Sequence, residues 1–217
     1  MRTIAAGAVL AALVCAAPAS ARIVEIGGEA ASAKPTCPDS PCQAVSRTTG
    51  YQAKVIKSRS TYIVPADGRI VAWTINLGAP NKRQVDFFNS NFGEASAGLT
   101  ILRRQKHLFH RVRGESPLEK LAPYFGQKVQ FPLAASIAVK KGMVVALTVP
   151  TWAPALTKLL DDGSSWRASR AKGKCGKTSL QTAQTQMGQR TQYRCLYRAR
   201  LTYSATLITN PVPKKKS

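Results

Sequence analysis

The sequence predicts an all-β fold: an antiparallel two-sheet sandwich, jelly-roll-like, with little helix. Three observations predict it. Apolar residues recur with a period of two along most of the chain. Clusters of Gly and Pro separate those apolar runs. No stretch shows the strand–helix–strand rhythm of a parallel sheet.

The alternation is cleanest over residues 193–207. Tyr193, Cys195, Tyr197, Ala199, Leu201, Tyr203, Ala205 and Leu207 form one face, expected to be core. Arg194, Leu196, Arg198, Arg200, Thr202, Ser204 and Thr206 form the other, with three arginines near one end. Fifteen residues is long for a strand, so a bend or bulge near Ala199 is expected. Earlier, Val71, Trp73, Ile75 and Leu77 alternate with Ile70, Ala72, Thr74 and Asn76. Both sets begin apolar, which marks a central strand with Trp73 in the core. Residues 99–102 are another apolar run. Leu108, His110 and Val112 alternate with Phe109, Arg111 and Arg113. Val129, Phe131 and Leu133 mark a further strand, and Trp166 and Ala168 share a face of a late one. Ile137 and Val139 lead through Lys140-Lys141-Gly142 into Met143, Val145, Leu147 and Val149. That pair reads as a hairpin, with Gly142 supplying the positive φ of its turn. Helix is confined to a turn or two at residues 85–92 and 117–124.

Residues 1–21 read as a secretory signal peptide. Arg2 gives a short cationic start, residues 4–16 an apolar run, and Ala19-Ser20-Ala21 small residues before cleavage at Arg22. The run is shorter than the ~20 apolar residues that span a bilayer, and no later stretch reaches that length. Lipidation at Cys15 is the weaker reading, because Val14 stands where a small residue normally does. Residues 22–209 form one domain, and residues 210–217, with Lys214, Lys215 and Lys216, a basic disordered tail. The localisation expected is secreted, extracellular or attached to the cell envelope.

Four cysteines remain after cleavage, and an oxidising compartment favours two bridges. Three pairings are possible. Cys37–Cys42 and Cys175–Cys195 are favoured, the first because it brackets the stiff loop Pro38-Asp39-Ser40-Pro41, the second because it ties a basic segment to the long strand. A zinc site is disfavoured by the same oxidising setting and by Cys spacings that do not repeat. The whole chain carries +22, and its charge is uneven. The 55 residues after Asp162 hold 12 Lys and Arg and no acid. A one-signed field of this kind attracts polyanions.

At Val64-Pro65, Gly68-Arg69-Ile70-Val71-Ala72-Trp73, Phe131-Pro132 and the run from Ile137 to Leu147, the chain resembles a family of secreted actinobacterial β-sandwich proteins. The resemblance covers about residues 60–150. It implies fold and export. That family has no assigned activity, so no catalytic residue is carried over. Many of its members have an acidic residue after the hairpin glycine, where this chain has Met143.

Candidate chemistry is sparse. His107 and His110 are three apart, which on a strand sends them to opposite faces. A hydrolase would need two facing carboxylates, and Asp67, Asp161 and Asp162 sit in turns. Glu115 and Glu119 can meet across a helical turn but can equally be solvated. Residues 171–178 imitate a phosphate loop but lack its leading Gly and its buried parallel strand. No cofactor and no metal are predicted. Trp152, held between Pro150 and Pro154, is either an exposed aromatic platform or a cap on the core; Trp166, Tyr124 and Tyr51 are other platforms.

These readings converge on a non-catalytic binding or structural module of the cell surface, for carbohydrate or an anionic polymer. Its expected contacts are Trp152, Arg194, Arg198, Arg200, Lys172, Lys174 and Lys177, with the tail lysines. Non-specific attraction to DNA follows from the same charge. The alternative is a secreted polysaccharide or cell-wall hydrolase, using two carboxylates or His110 with one.

Overall fold

The computed structural model describes residues 20–28, 33–158 and 163–211. The predicted signal peptide up to residue 19, the Asp161-Asp162 turn and the tail lysines lie outside those residues. In chain order the strands are β1 (Ile23–Ile26), β2 (Val45–Lys54), β3 (Gly68–Asn76), β4 (Ser96–Arg104), β5 (Phe109–Glu115), β6 (Glu119–Lys120) and β7 (Lys128–Val139). There follow β8 (Val144–Ala153), β9 (Leu156–Thr157), β10 (Ser165–Ala168), β11 (Arg190–Gln192), β12 (Cys195–Tyr197), β13 (Arg200–Leu201) and β14 (Tyr203–Thr209). A helix, α1 (Lys82–Phe92), joins β3 to β4.

The strands form two main antiparallel sheets packed on one core, with β9 and β13 as a separate two-stranded pair. The smaller has the order β1-β14-β3-β7, and the larger β11-β5-β4-β8-β2-β10-β12, with β6 added beside β4. Ile70, Ile75 and Leu207 of the small sheet share one buried cluster with Leu99, Ile101 and Leu147 of the large. The Tyr203 hydroxyl crosses the layer to donate to the Val145 carbonyl at 3.0 Å. Trp73 is core, its ring 4.9 Å from that of Phe131 on the neighbouring β7.

Three sequence expectations meet this architecture differently. The face from Tyr193 to Leu207 is buried except at half-buried Tyr197. The backbone, however, breaks beside Ala199 and again at Thr202, and the three pieces pair with different partners. Strand β12 pairs with β10, β13 with β9, and β14 lies between β1 and β3. One stretch of alternation therefore passes from the large sheet to the small. The expected hairpin across Gly142 is corrected. Gly142 has the positive φ, 84°, but β7 belongs to the small sheet and β8 to the large. Residues 144–149 are all buried, so β8 requires strands on both edges and packing on both faces. It finds them between β2 and β4. The helix is longer than expected at 11 residues. Asn81 and Gln84 close a reciprocal cap at its start, and Gly93 ends it at φ 87°.

The outer face of the large sheet carries hydroxyls. Thr49 and Thr148 share a hydrogen bond at 2.7 Å, and Thr100 also bonds Thr148. These groups are buried, so they need partners. The segment between β10 and β12 supplies them by lying across the sheet. The Gln184 amide donates to the Thr49 hydroxyl at 2.8 Å, the Thr182 amide donates to Arg47, and the Tyr193 hydroxyl donates to Gln184. Both bridges form as expected, Cys37–Cys42 and Cys175–Cys195. The second fixes the start of this strap beside β12.

The bridges close loops of 5 and 20 residues. Loop-closure entropy then gives about 2 kcal/mol for the first and about 3 kcal/mol for the second. Urea unfolding of the Cys37→Ser/Cys42→Ser and Cys175→Ser/Cys195→Ser variants is expected to show losses in that order, the second larger.

Candidate functional site

Two adjoining clefts at one end of the large sheet are lined by cations. The first, about 590 Å³, is walled by Tyr51, Arg59, Arg104, His110 and Arg167. The second, about 490 Å³, is walled by Arg103, Arg104, Arg113, Lys140 and Lys141. Arg104 belongs to both. Among the described residues no carboxylate lines either cleft. The nearest relief is Asp67, which accepts from Lys140 Nζ and the Lys141 amide, each at 2.9 Å.

Strand register assembles this surface. Arg104 lies directly across from His110 on β5. One step along, Arg103 faces Arg111, and Arg111 faces Arg190 on β11. Three exposed arginines therefore stand in a row across three neighbouring strands. Like charges placed opposite one another on a sheet repel. Arg190 is steadied by donating to Gln105 at 2.8 Å and by lying over the Phe109 ring at 3.8 Å. None of these arginines pairs with a carboxylate among the described residues.

The floor of the first cleft is aromatic. His110 packs against both Tyr51 and Tyr193, at ring distances of 5.0 and 4.8 Å, and the two tyrosine rings touch each other at 5.5 Å. Its Nδ1 lies 3.0 Å from the Leu108 carbonyl, and its buried Nε2 has no partner. Burial pushes the His110 pKa down to about 4; the Leu108 bond opposes this and the charges of Arg104 and Arg167 add to it. Burial raises Tyr51, while Arg167 and Arg104 pull it back. His110 is therefore neutral at physiological pH, and the cleft's charge comes from its arginines.

A third cleft, about 440 Å³, opens beside β12 and contains Trp166, Arg170, Tyr197 and Arg198.

The residues expected from sequence are only partly brought together. Arg198 lines the third cleft. Arg194 is exposed on the strap side of β12, and Arg200, on β13, donates to Ser164 at 3.1 Å. The backbone breaks around Ala199 prevent these three from forming one row. Lys172, Lys174 and Lys177 are exposed on the disulfide-tied turn and line none of the three clefts. Trp152 as an exposed platform is corrected: the ring is fully buried, stacked on Phe88 at 4.6 Å, and its indole N–H donates to Asn89 at 2.9 Å. It caps the core under α1. Tyr124 is half-buried against Phe131. His107 and His110 diverge, the first exposed in a turn at φ 57°, the second buried. Glu115 is half-buried beside Leu99 and Thr148 in a small cavity. The carboxylates of Asp86, Glu94 and Glu25 are each taken by Lys82, Lys120 and Thr206.

The arginines missed in sequence are Arg59, Arg103, Arg104, Arg113, Arg167 and Arg170. The signal available was the paired Arg103-Arg104 closing an apolar run, opposite alternating Arg111 and Arg113. The fold and the clefts define a basic β-sandwich. Comparison with family models, with curated proteins and with solved structures finds no match to this chain.

The lowered His110 pKa has a pH signature. Unfolded His titrates near 6.5 and the folded residue near 4, so the unfolded chain takes up the proton first. Stability is complete above pH 6.5 and falls as pH drops towards 4, by up to about 3 kcal/mol. His110→Phe keeps the ring packing and removes the titration. Urea unfolding at stepped pH is expected to show the wild type losing ground to this variant through that window; a constant difference would refute it.

Proposed function

We propose that this protein is a non-catalytic binding module for an extracellular acidic polymer, an acidic glycan or polyol phosphate of the cell envelope. The supporting observation is the pair of clefts joined at Arg104, lined by five arginines and two lysines, of which, among the described residues, Lys140 alone is paired, with Asp67 outside the lining. A chain-like anion can run from one cleft into the next. Spaced guanidinium groups pair its charges in forked geometry. Export is supported by the pattern of the first 21 residues and by the two disulfides. Among the described residues no helix is long and apolar enough to cross a membrane. The resemblance to secreted actinobacterial β-sandwich proteins implies export and carries no ligand. A neutral glycan is less favoured, because Trp152, the best aromatic candidate in the sequence, is used inside the core.

The test is surface plasmon resonance on immobilised poly(glycerol phosphate), hyaluronate, duplex DNA and neutral dextran over a range of salt. Binding to the envelope-type polyanions is expected to weaken linearly in log–log against salt. An Arg103→Gln/Arg104→Gln variant is expected to lower that slope by roughly two on the DNA reference, where each contact contributes about 0.9. Equal retention on dextran, or polyanion binding indifferent to salt, would overturn the proposal.

A further inference from the structure

The third cleft carries a different signal from the first two. Arg170 lines it and is only 2% exposed. A guanidinium stays charged in any protein environment and presents five N–H donors. Here the protein accepts two of them: Nη2 donates to the Ser46 carbonyl at 2.7 Å, and Nη1 to the Tyr197 hydroxyl at 3.3 Å. The Nε–H has no partner. Among the described residues no carboxylate pairs with Arg170. A buried charge without a counter-charge is costly, and folded proteins normally pair it.

The surroundings define what completes it. The Trp166 and Tyr197 rings lie 4.7 Å apart and form one wall, and the Arg170 guanidinium lies over the Tyr197 ring, 6.0 Å from its centroid. Leu156 and Leu196 add apolar surface, and the exposed side chains of Lys158 and Arg198 add two further cations, which water still screens. The cleft's volume is that of a small-molecule site. Aromatic and aliphatic walls around one buried cation fit a monoanion with an apolar body. They do not fit a highly charged polymer, whose remaining charges would be stripped of water.

We infer that this cleft is a binding site for a small carboxylate amphiphile, with the carboxylate paired to Arg170 and the apolar body held between Trp166, Tyr197, Leu156 and Leu196. The site is separate from the clefts joined at Arg104 and does not depend on polymer binding. The carboxylate supplies an acceptor for the Nε–H and the missing negative charge together.

The probe is sodium octanoate, titrated calorimetrically into the protein up to about 5 mM, a range that resolves weak small-ligand affinities. Octanol and octylammonium are the neutral and cationic comparators. One octanoate site is expected, with octanol and octylammonium weaker by about tenfold or more. Arg170→Gln is expected to weaken octanoate by a similar factor. Leu196→Glu is the second variant. Leu196 is 52% exposed on β12, so the substitution spares the core while placing a negative charge in the cleft. It is expected to weaken octanoate as strongly. Arg103→Gln/Arg104→Gln is expected to leave octanoate unchanged, which separates this site from the polymer surface. No octanoate binding, equal octanol binding, or octanoate binding untouched by Leu196→Glu would overturn the inference.

Discussion

The hydroxyl cluster around Thr148 is the interaction on which the rest of the molecule depends. Strand β8 is central in the large sheet, and its outer face presents Thr148 to Thr49 and Thr100. Once the strap covers that face, its hydroxyls lose water and need partners in the strap itself. The strap answers with Gln184, Thr182 and Tyr193. Docking the strap does three further things. It sets Tyr193 against Tyr51 and His110, making the floor of the first cleft. It adds β11 beside β5, which completes the arginine row. It carries Arg170 and the lysine turn to the side of β12, where the Cys175–Cys195 bridge holds them. Polar satisfaction, more than apolar burial, fixes where the cations stand.

Those cations oppose the fold they sit on. Arg103, Arg111 and Arg190 repel across adjacent strands, and the charge-dense end of the sheet has little acid to relieve it. A sheet edge with mixed charges would be more stable. The repulsion is borne by strands whose other residues, Ile101, Leu102 and Val112, are fully buried. An anion paired with these arginines would relieve that repulsion and so stabilise the fold.

Much of the fold is legible in the sequence, because period-two alternation records a face directly. The core faces of β5, β10 and the segment from Tyr193 to Leu207 follow it residue by residue. Both disulfides are legible from loop stiffness and strand position. What alternation does not record is the partner of each strand. It makes β7 and β8 look like a hairpin, although they lie in different sheets. It also hides β2, whose Arg47-Thr48-Thr49-Gly50 reads as polar loop until the strap supplies hydrogen-bond partners. The candidate site is less legible still. Arg103 and Arg190 are 87 positions apart in the chain and meet only through the pairing of β4, β5 and β11. Trp152 shows the same limit: its flanking prolines are visible in the sequence, but Phe88, which covers it, comes from another element.

The passage of one segment from the large sheet to the small has a kinetic consequence. Strand β14 sits between β1 and β3, so the first and last strands described are hydrogen-bonded neighbours, Ile23 opposite Ile208. A chain delivered N-terminus first, from a ribosome or through a translocation pore, cannot close the small sheet until Thr209 has emerged. Until then β1 lacks its neighbour, β3 has one edge open, and the core lacks Tyr203, Ala205 and Leu207. Pairings this distant in sequence form late. Such a chain keeps its small sheet open until almost all of it has emerged, and the resistance to unthreading that this sheet supplies comes last.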